Sequence, residues 1–284
     1  MTDLTWAPPA QQWTLGQAPD FGSFKPQQAK SEGATRAKVI SVNSLLSGSG
    51  RSVIASNLAF ELAASGARVC LVDLDTQWPS QHRYFGLPQD QASVVAGVRY
   101  LQQQRMTKEA FQELRIRLVS KNANVDLISG FGLNLNSNAM DWDTAQVFIE
   151  FLALSYTHVV IDLPCGFDQP AHRMAANVAS IRLQVLLPDP ISISRFLESP
   201  NSWQGYFQGQ DALVVNRLRS SVLGARPEWQ VRQTLKDRVS IPIWGVLPED
   251  QVLDQAMLQG VPLRQLGGKS KFRSALIQLA ARLA

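Results

Sequence analysis

Between Lys38 and Asp75 the chain runs through a short β-branched stretch, Val39 to Val42, and then a loop rich in glycine and serine, Leu45-Leu46-Ser47-Gly48-Ser49-Gly50-Arg51-Ser52. A helical pattern follows, and then a second apolar run closing on Asp73 and Asp75. A loop of this kind between strand and helix presents backbone N–H groups and the positive end of the helix dipole, so the chemistry it could do is hold a phosphate. Further along, Asp162 lies near the end of the apolar run Thr157 to Leu163, Asn216 follows Ala212 to Val215, and Pro248 follows Ile243 to Leu247. In a parallel α/β sheet, functional groups collect at the carboxyl ends of the strands, so these residues should share one rim. A carboxylate ending a buried strand needs a cation or hydrogen-bond donors beside it. Acids in such places also cap helices, and an asparagine there is often a turn residue.

The elements that must position this rim follow from periodicity. Ile54, Leu58 and Leu62 recur at four-residue spacing and Gly66 ends that helix. Arg68 to Leu74 and Val125 to Ser129 read as strands, as do the three runs above and Ile181 to Leu187. Helices are expected over 91–106, 107–116, 141–154, 249–259 and 269–283, with a short helix and turn over 79–87. Strands alternating with helices throughout predict an α/β fold, a doubly wound, mostly parallel sheet flanked by helices.

At 284 residues and 45% hydrophobic content the chain suits one large α/β domain. It carries no apolar run of the roughly 20 residues that a membrane span needs, and no basic-then-apolar N-terminus of the signal-peptide kind. Two cysteines, Cys70 and Cys165, fit a reduced cytoplasmic setting better than a disulfide framework, and three scattered histidines form no metal constellation. The net charge of +4 permits an anionic partner without demanding one. Residues 1–36, with four prolines and five glutamines and no apolar period, are expected to form a flexible tail ahead of a domain spanning 37–284. Trp6, Trp13, Phe21 and Phe24 within it would either fold back on the domain or dock a protein partner.

The Gly/Ser loop resembles the deviant P-loop of the ParA/MinD family of ATPases, G-K-G-G-x-G-K-T followed by N-L-A, with Asn57-Leu58-Ala59 in register. Gly48, Gly50 and Ser52 match; Leu45 and Ser47 stand for glycines, Leu46 for the signature lysine and Arg51 for the P-loop lysine. The resemblance extends over roughly 37–284 through DLDTQ (Asp73–Gln77), IDLP (Ile161–Pro164), VVNR (Val214–Arg217), GVLPED (Gly245–Asp250) and the G-x-P at Gly260–Pro262. It implies a P-loop NTPase fold and a nucleotide site made of Gly48, Ser49, Gly50, Arg51, Ser52, Val53, Asn216, Arg217 and Pro248. ATP would be the cofactor. Mg²⁺ would be held through water by Ser52, Asp73 and Asp162, and Asp75 would organise the attacking water. With both lysines replaced, the resemblance implies an ATPase at most, and no cofactor at all if the loop is fully degenerate.

Within that family the chain looks most like the TadZ/CpaE-type and septum-site-determining MinD-like proteins, which position polar or septal structures, some of them for pilus assembly. The expected function is therefore a homodimeric positioning scaffold with weak or no ATP hydrolysis, cytoplasmic and recruited to a cell pole, septum or inner membrane face. Its partner would bind through the 1–36 tail or the dimer surface. Two alternatives stand beside it: an active partitioning ATPase that binds DNA, and a nucleotide-free pseudo-ATPase whose loop is filled by Leu45 and Leu46. The six basic residues between Arg217 and Arg238 could hold DNA by counterion release or form a solvated helix face. The C-terminal helix is amphipathic, with Phe272, Leu276, Leu279 and Leu283 on one face, and is expected to pack on the sheet rather than contact a membrane.

Overall fold

A computed structural model describes residues 37–87, 93–130, 140–199, 209–219, 226–236 and 238–284. The aromatic-bearing segment 1–36 lies outside them. In chain order the elements are β1 (Lys38–Ser44), α1 (Arg51–Ala64), β2 (Val69–Asp73), α2 (Gln81–Tyr84), α3 (Val94–Gln102), α4 (Lys108–Glu113), β3 (Ile116–Ser120), β4 (Ala123–Ile128), α5 (Trp142–Ser155) and β5 (His158–Cys165). There follow α6 (Pro170–Val178), β6 (Ile181–Leu186), α7 (Pro190–Glu198), β7 (Gln210–Leu218), α8 (Pro227–Lys236), β8 (Ile243–Pro248), α9 (Gln251–Leu258), α10 (Leu263–Leu266) and α11 (Lys271–Leu283).

The eight strands form one sheet in the order β3-β4-β2-β5-β1-β6-β7-β8, parallel throughout except for β3 against β4. β1 lies between β5 and β6, so the chain leaves it towards one edge first and returns to the other, which puts the topological switch point, and its crevice, at the loop after β1. The expectation of a helix running to Ile116 is corrected by the hairpin β3–β4. Helix α4 ends at Glu113, and Asn122, at φ 54, supplies the left-handed turn residue that joins the two antiparallel strands.

Alternation along the strands divides the core between the two faces of the sheet. On one face Ile40, Val42, Leu71, Val160, Leu183 and Val214 pack under α1 and α11. On the other, α3, α5 and α6 cover the β4–β2–β5 half, while α7 and α8 cover β6–β7–β8 around Leu186, Phe196, Leu213 and Val215. Helix α1 is buried from Ile54 to Ala63, as a helix enclosed by sheet on one side and helices on the other must be. Its one acid, Glu61, is held by Arg273 Nε at 2.7 Å and Arg264 Nη1 at 3.4 Å. The amphipathic face of α11, Phe272, Leu276, Leu279 and Leu283, is buried against β8 and α1. No helix among the described residues is long and apolar enough to cross a membrane.

Candidate functional site

The switch-point loop is shaped by two glycines in the left-handed region, Gly48 at φ 75 and Gly50 at φ 87. Gly50 is also the N-cap of α1, and a residue without a side chain cannot hydrogen-bond the N–H groups of the first turn. Helices α3, α4, α5, α7, α9 and α11 are capped by Ser93, Thr107, Asp141, Asp189, Asp250 and Ser270, whose side chains accept from first-turn amides. The acids Asp141, Asp189 and Asp250 are thereby caps, while α1 keeps its positive end open towards the loop. The Ser49 hydroxyl is buried there without a hydrogen-bond partner. Leu45 is partly buried and packs against the apolar cluster of Leu186, Phe196, Leu213 and Val215. The loop thus retains the features of an anion cradle.

Asn216, at the end of β7, donates through Nδ2 to the Ser49 carbonyl at 2.7 Å and so braces the loop from the neighbouring strands. Arg217 beside it is exposed, with a left-handed backbone at φ 56, and Pro248 ends β8 in register with Leu218. The Val53 carbonyl accepts from Asn57 Nδ2 at 2.8 Å, while Asn57 Oδ1 receives the Leu263 N–H at 2.8 Å. The asparagine of N-L-A therefore ties α1 to α10.

Three carboxylates close the lower side of the loop. Asp73 Oδ1 accepts from the Asp75 amide at 3.0 Å, and its Oδ2 from the amides of Ser80 at 2.8 Å and Gln81 at 3.0 Å. Asp75 Oδ1 accepts from the Trp78 amide at 2.9 Å and the Gln77 amide at 3.3 Å. Asp162 Oδ2 accepts from Gln81 Nε2 at 2.8 Å and Ser80 Oγ at 3.4 Å, while its Oδ1 is buried without a hydrogen-bond partner. Burial, and the Asp162 carboxylate beside it, push Asp73 well above the usual carboxylate range, against the pull of three backbone amides. Burial raises Asp162 as well, with Asp75 adding to the effect and Arg51, Gln81 and Ser52 opposing it.

Arg51 answers these charges. Its Nη2 meets Asp75 Oδ2 at 3.1 Å, its Nε donates to the Leu163 carbonyl, and the same Nε lies 3.8 Å from Asp162 Oδ1. The structure therefore brings Ser52, Asp73, Asp75 and Asp162 to one spot beneath the loop, with the guanidinium among them. As they stand, these residues do not fit a divalent ion: five of the six carboxylate oxygens accept hydrogen bonds, and the sixth faces a permanent cation. Among the described residues no group of three or more His, Cys, Asp or Glu is disposed to hold a metal.

Two residues of the site escaped the sequence reading. Gln81 is fully buried and joins Asp162, Asp73 and the Ser52 carbonyl, at 3.0 Å for the last, while the Gln77 of DLDTQ is exposed. A glutamine opening a helix after a Pro-Ser pair was the one available signal. His172 on α6 donates through Nε2 to the Pro164 carbonyl, 3.1 Å away. Of the basic residues between Arg217 and Arg238, Arg219 pairs with Glu249 at 2.8 Å and Arg232 with Glu228 at 2.9 Å, as a solvated face would.

Comparison with known proteins agrees with this fold. The family model described as the CobQ/CobB/MinD/ParA nucleotide binding domain (CbiA) matches residues 40–263. A septum site-determining protein MinD from Synechocystis is 25% identical over 227 residues, covering 80% of this chain and 81% of the relative. The septum site-determining protein MinD of Pyrococcus horikoshii, solved with Mg-ADP, superposes with a TM-score of 0.65 at 22% identity, covering 87% of this chain and 96% of that one. The MinC:MinD cell division complex of Aquifex aeolicus gives a TM-score of 0.65 at 21% identity, covering 87% and 95%. With the matched region spanning the sheet from β1 to α10 and the loop at its switch point, the chain belongs to the CobQ/CobB/MinD/ParA nucleotide-binding family.

Proposed function

We propose that this chain is a ParA/MinD-like spatial-positioning protein, acting at a pole or septum in cell division or pilus assembly, that works as a dimeric scaffold. Its cradle takes an adenine nucleotide and turns it over weakly or not at all. The observation that carries this reading is the Arg51–Asp75 ion pair at 3.1 Å. The cation best placed to meet a transferring phosphoryl group is held by the acid best placed to orient an attacking water. Both are engaged with each other, and losing such charge from the reaction centre costs orders of magnitude in rate. The open N-terminus of α1, the two left-handed glycines and the unpartnered Ser49 hydroxyl support retained phosphate binding.

The named relatives include one complexed with Mg-ADP and one with the partner MinC, and the curated relative is a septum site-determining protein. By this likeness a protein partner binds the dimer surface or the 1–36 tail. Calorimetric titration of ATP, with light scattering and phosphate release on the same samples, tests the reading. Saturable binding, a mass near twice the monomer and little or no phosphate release are expected. Brisk release stimulated by DNA would replace it with a partitioning ATPase, and absence of binding with a nucleotide-free pseudo-ATPase interaction scaffold.

A further inference from the structure

We propose that the Arg51 guanidinium is the built-in cation of this site, neutralising Asp75 and Asp162 in place of a divalent metal ion. The three carboxylates place up to three negative charges at adjacent strand ends of β2 and β5, with Asp73 and Asp162 fully enclosed. Buried carboxylates need compensation by donors or by a cation. Asp73 obtains it from three backbone amides. Asp75 and Asp162 share the guanidinium, which is fixed at a third point by the Leu163 carbonyl.

A lysine at this position would place a compact charge on a flexible stem, free to reach upward to phosphates. A guanidinium is planar and forked and stays charged at any accessible pH, and this one donates to Asp75 and to the Leu163 carbonyl with Asp162 close by. Magnesium demands near-octahedral oxygen ligands and keeps several of its own waters. Only Asp162 Oδ1 is without a hydrogen bond, and it lies 3.8 Å from Arg51 Nε. A doubly charged ion brought to that oxygen would meet a fixed like charge at short range in a medium of low dielectric. Arginine and metal are therefore alternatives at this spot.

On the reading that the cradle takes a nucleotide, it follows that the phosphates bind without Mg²⁺, their charge met by the α1 N-terminus. The test uses the full chain. Titration with Mn²⁺ followed by electron paramagnetic resonance is expected to show no protein-bound ion in the wild type and one in Arg51→Ala, with Mn²⁺ or Mg²⁺ raising the melting temperature of that variant alone. A wild-type protein that binds Mn²⁺ stoichiometrically, and loses it in Asp162→Asn, overturns the proposal, and this measurement holds even if Arg51→Ala fails to fold. ADP titration forms the second arm. Wild-type affinity should differ less than about threefold between EDTA and Mg²⁺, while Arg51→Lys gains a dependence of about tenfold or more. Wild-type binding seen only with Mg²⁺ would overturn the proposal. ADP binding in neither medium would instead sink the nucleotide reading, with the Mn²⁺ result deciding the cation by itself.

Discussion

The Nδ2 of Asn216 donates to the Ser49 carbonyl at 2.7 Å, and that nitrogen lies 2.3 Å from the point a Cβ on Gly50 would occupy. Residues far apart in the chain are thus in contact at the mouth of the cradle, and the contact is made possible by the absence of one carbon atom. Gly48, with the same left-handed backbone, has open space around it. Gly48→Ala should cost about 1 kcal/mol, from backbone strain alone. Gly50→Ala adds a steric clash and should cost about 2–4 kcal/mol. Urea unfolding of the two variants side by side measures the difference; equal costs would mean that Asn216 yields without resistance.

The link between the cradle helix and the C-terminus is Glu61. Its carboxylate is buried and faces Arg264 and Arg273. Glu61→Ala takes the shared carboxylate from two guanidinium groups and should destabilise the chain by about 3 kcal/mol. Chemical denaturation reads the loss. Arg273→Ala should cost less, because Arg273 is 30% exposed and water can replace part of what it gives up.

Acid should weaken the fold through His172. Burial pushes this imidazole down to about 4, helped by the nearby charge of Arg51 and opposed by the Pro164 carbonyl. The folded state binds the proton more weakly than the unfolded chain, so stability is full above the ordinary histidine value and is lost as pH falls towards 4. Between pH 7 and pH 5 the loss assignable to this group is about 2 kcal/mol. Urea titrations at the two pH values, on wild type and His172→Gln, should show the variant without that share of the decline.

The two thiols should differ in reactivity. Cys70 is fully buried in β2, and burial, with the Asp126 carboxylate adding to it, raises its pKa well above the ordinary thiol value. Cys165 is half-buried at the end of β5. A chromogenic disulfide reagent should modify one thiol in the native chain and the second only in denaturant, since the thiolate is the reacting form. Rapid modification of both in native buffer would contradict the burial of Cys70.

Much of the scaffold was readable from the chain. The apolar runs at Val69, Val159 and Leu213, with acids or asparagine at their ends, placed Asp73, Asp162 and Asn216 on one rim, because parallel strands all point the same way. The order of landmarks pointed to the ParA/MinD family. The Ile116–Ser120 strand was missed because five residues of alternating pattern next to a helical stretch carry little periodic signal, and its stability comes from pairing with β4.

What the sequence determined by itself was the sheet, the loop at its switch point and the substitution of Arg51 for a lysine, since strand, helix and turn preferences are local. Where that guanidinium goes was decided only by the tertiary structure. It lies at the meeting of β2, β5 and α1, where Asp75, Asp162 and the Leu163 carbonyl compete for it. Gln81 likewise acquires its role only when α2 folds over the strand ends and brings its amide to Asp162. Side-chain pairing across such distances depends on burial, which strengthens every charge interaction and forbids an unanswered one, and burial is a property of the assembled fold.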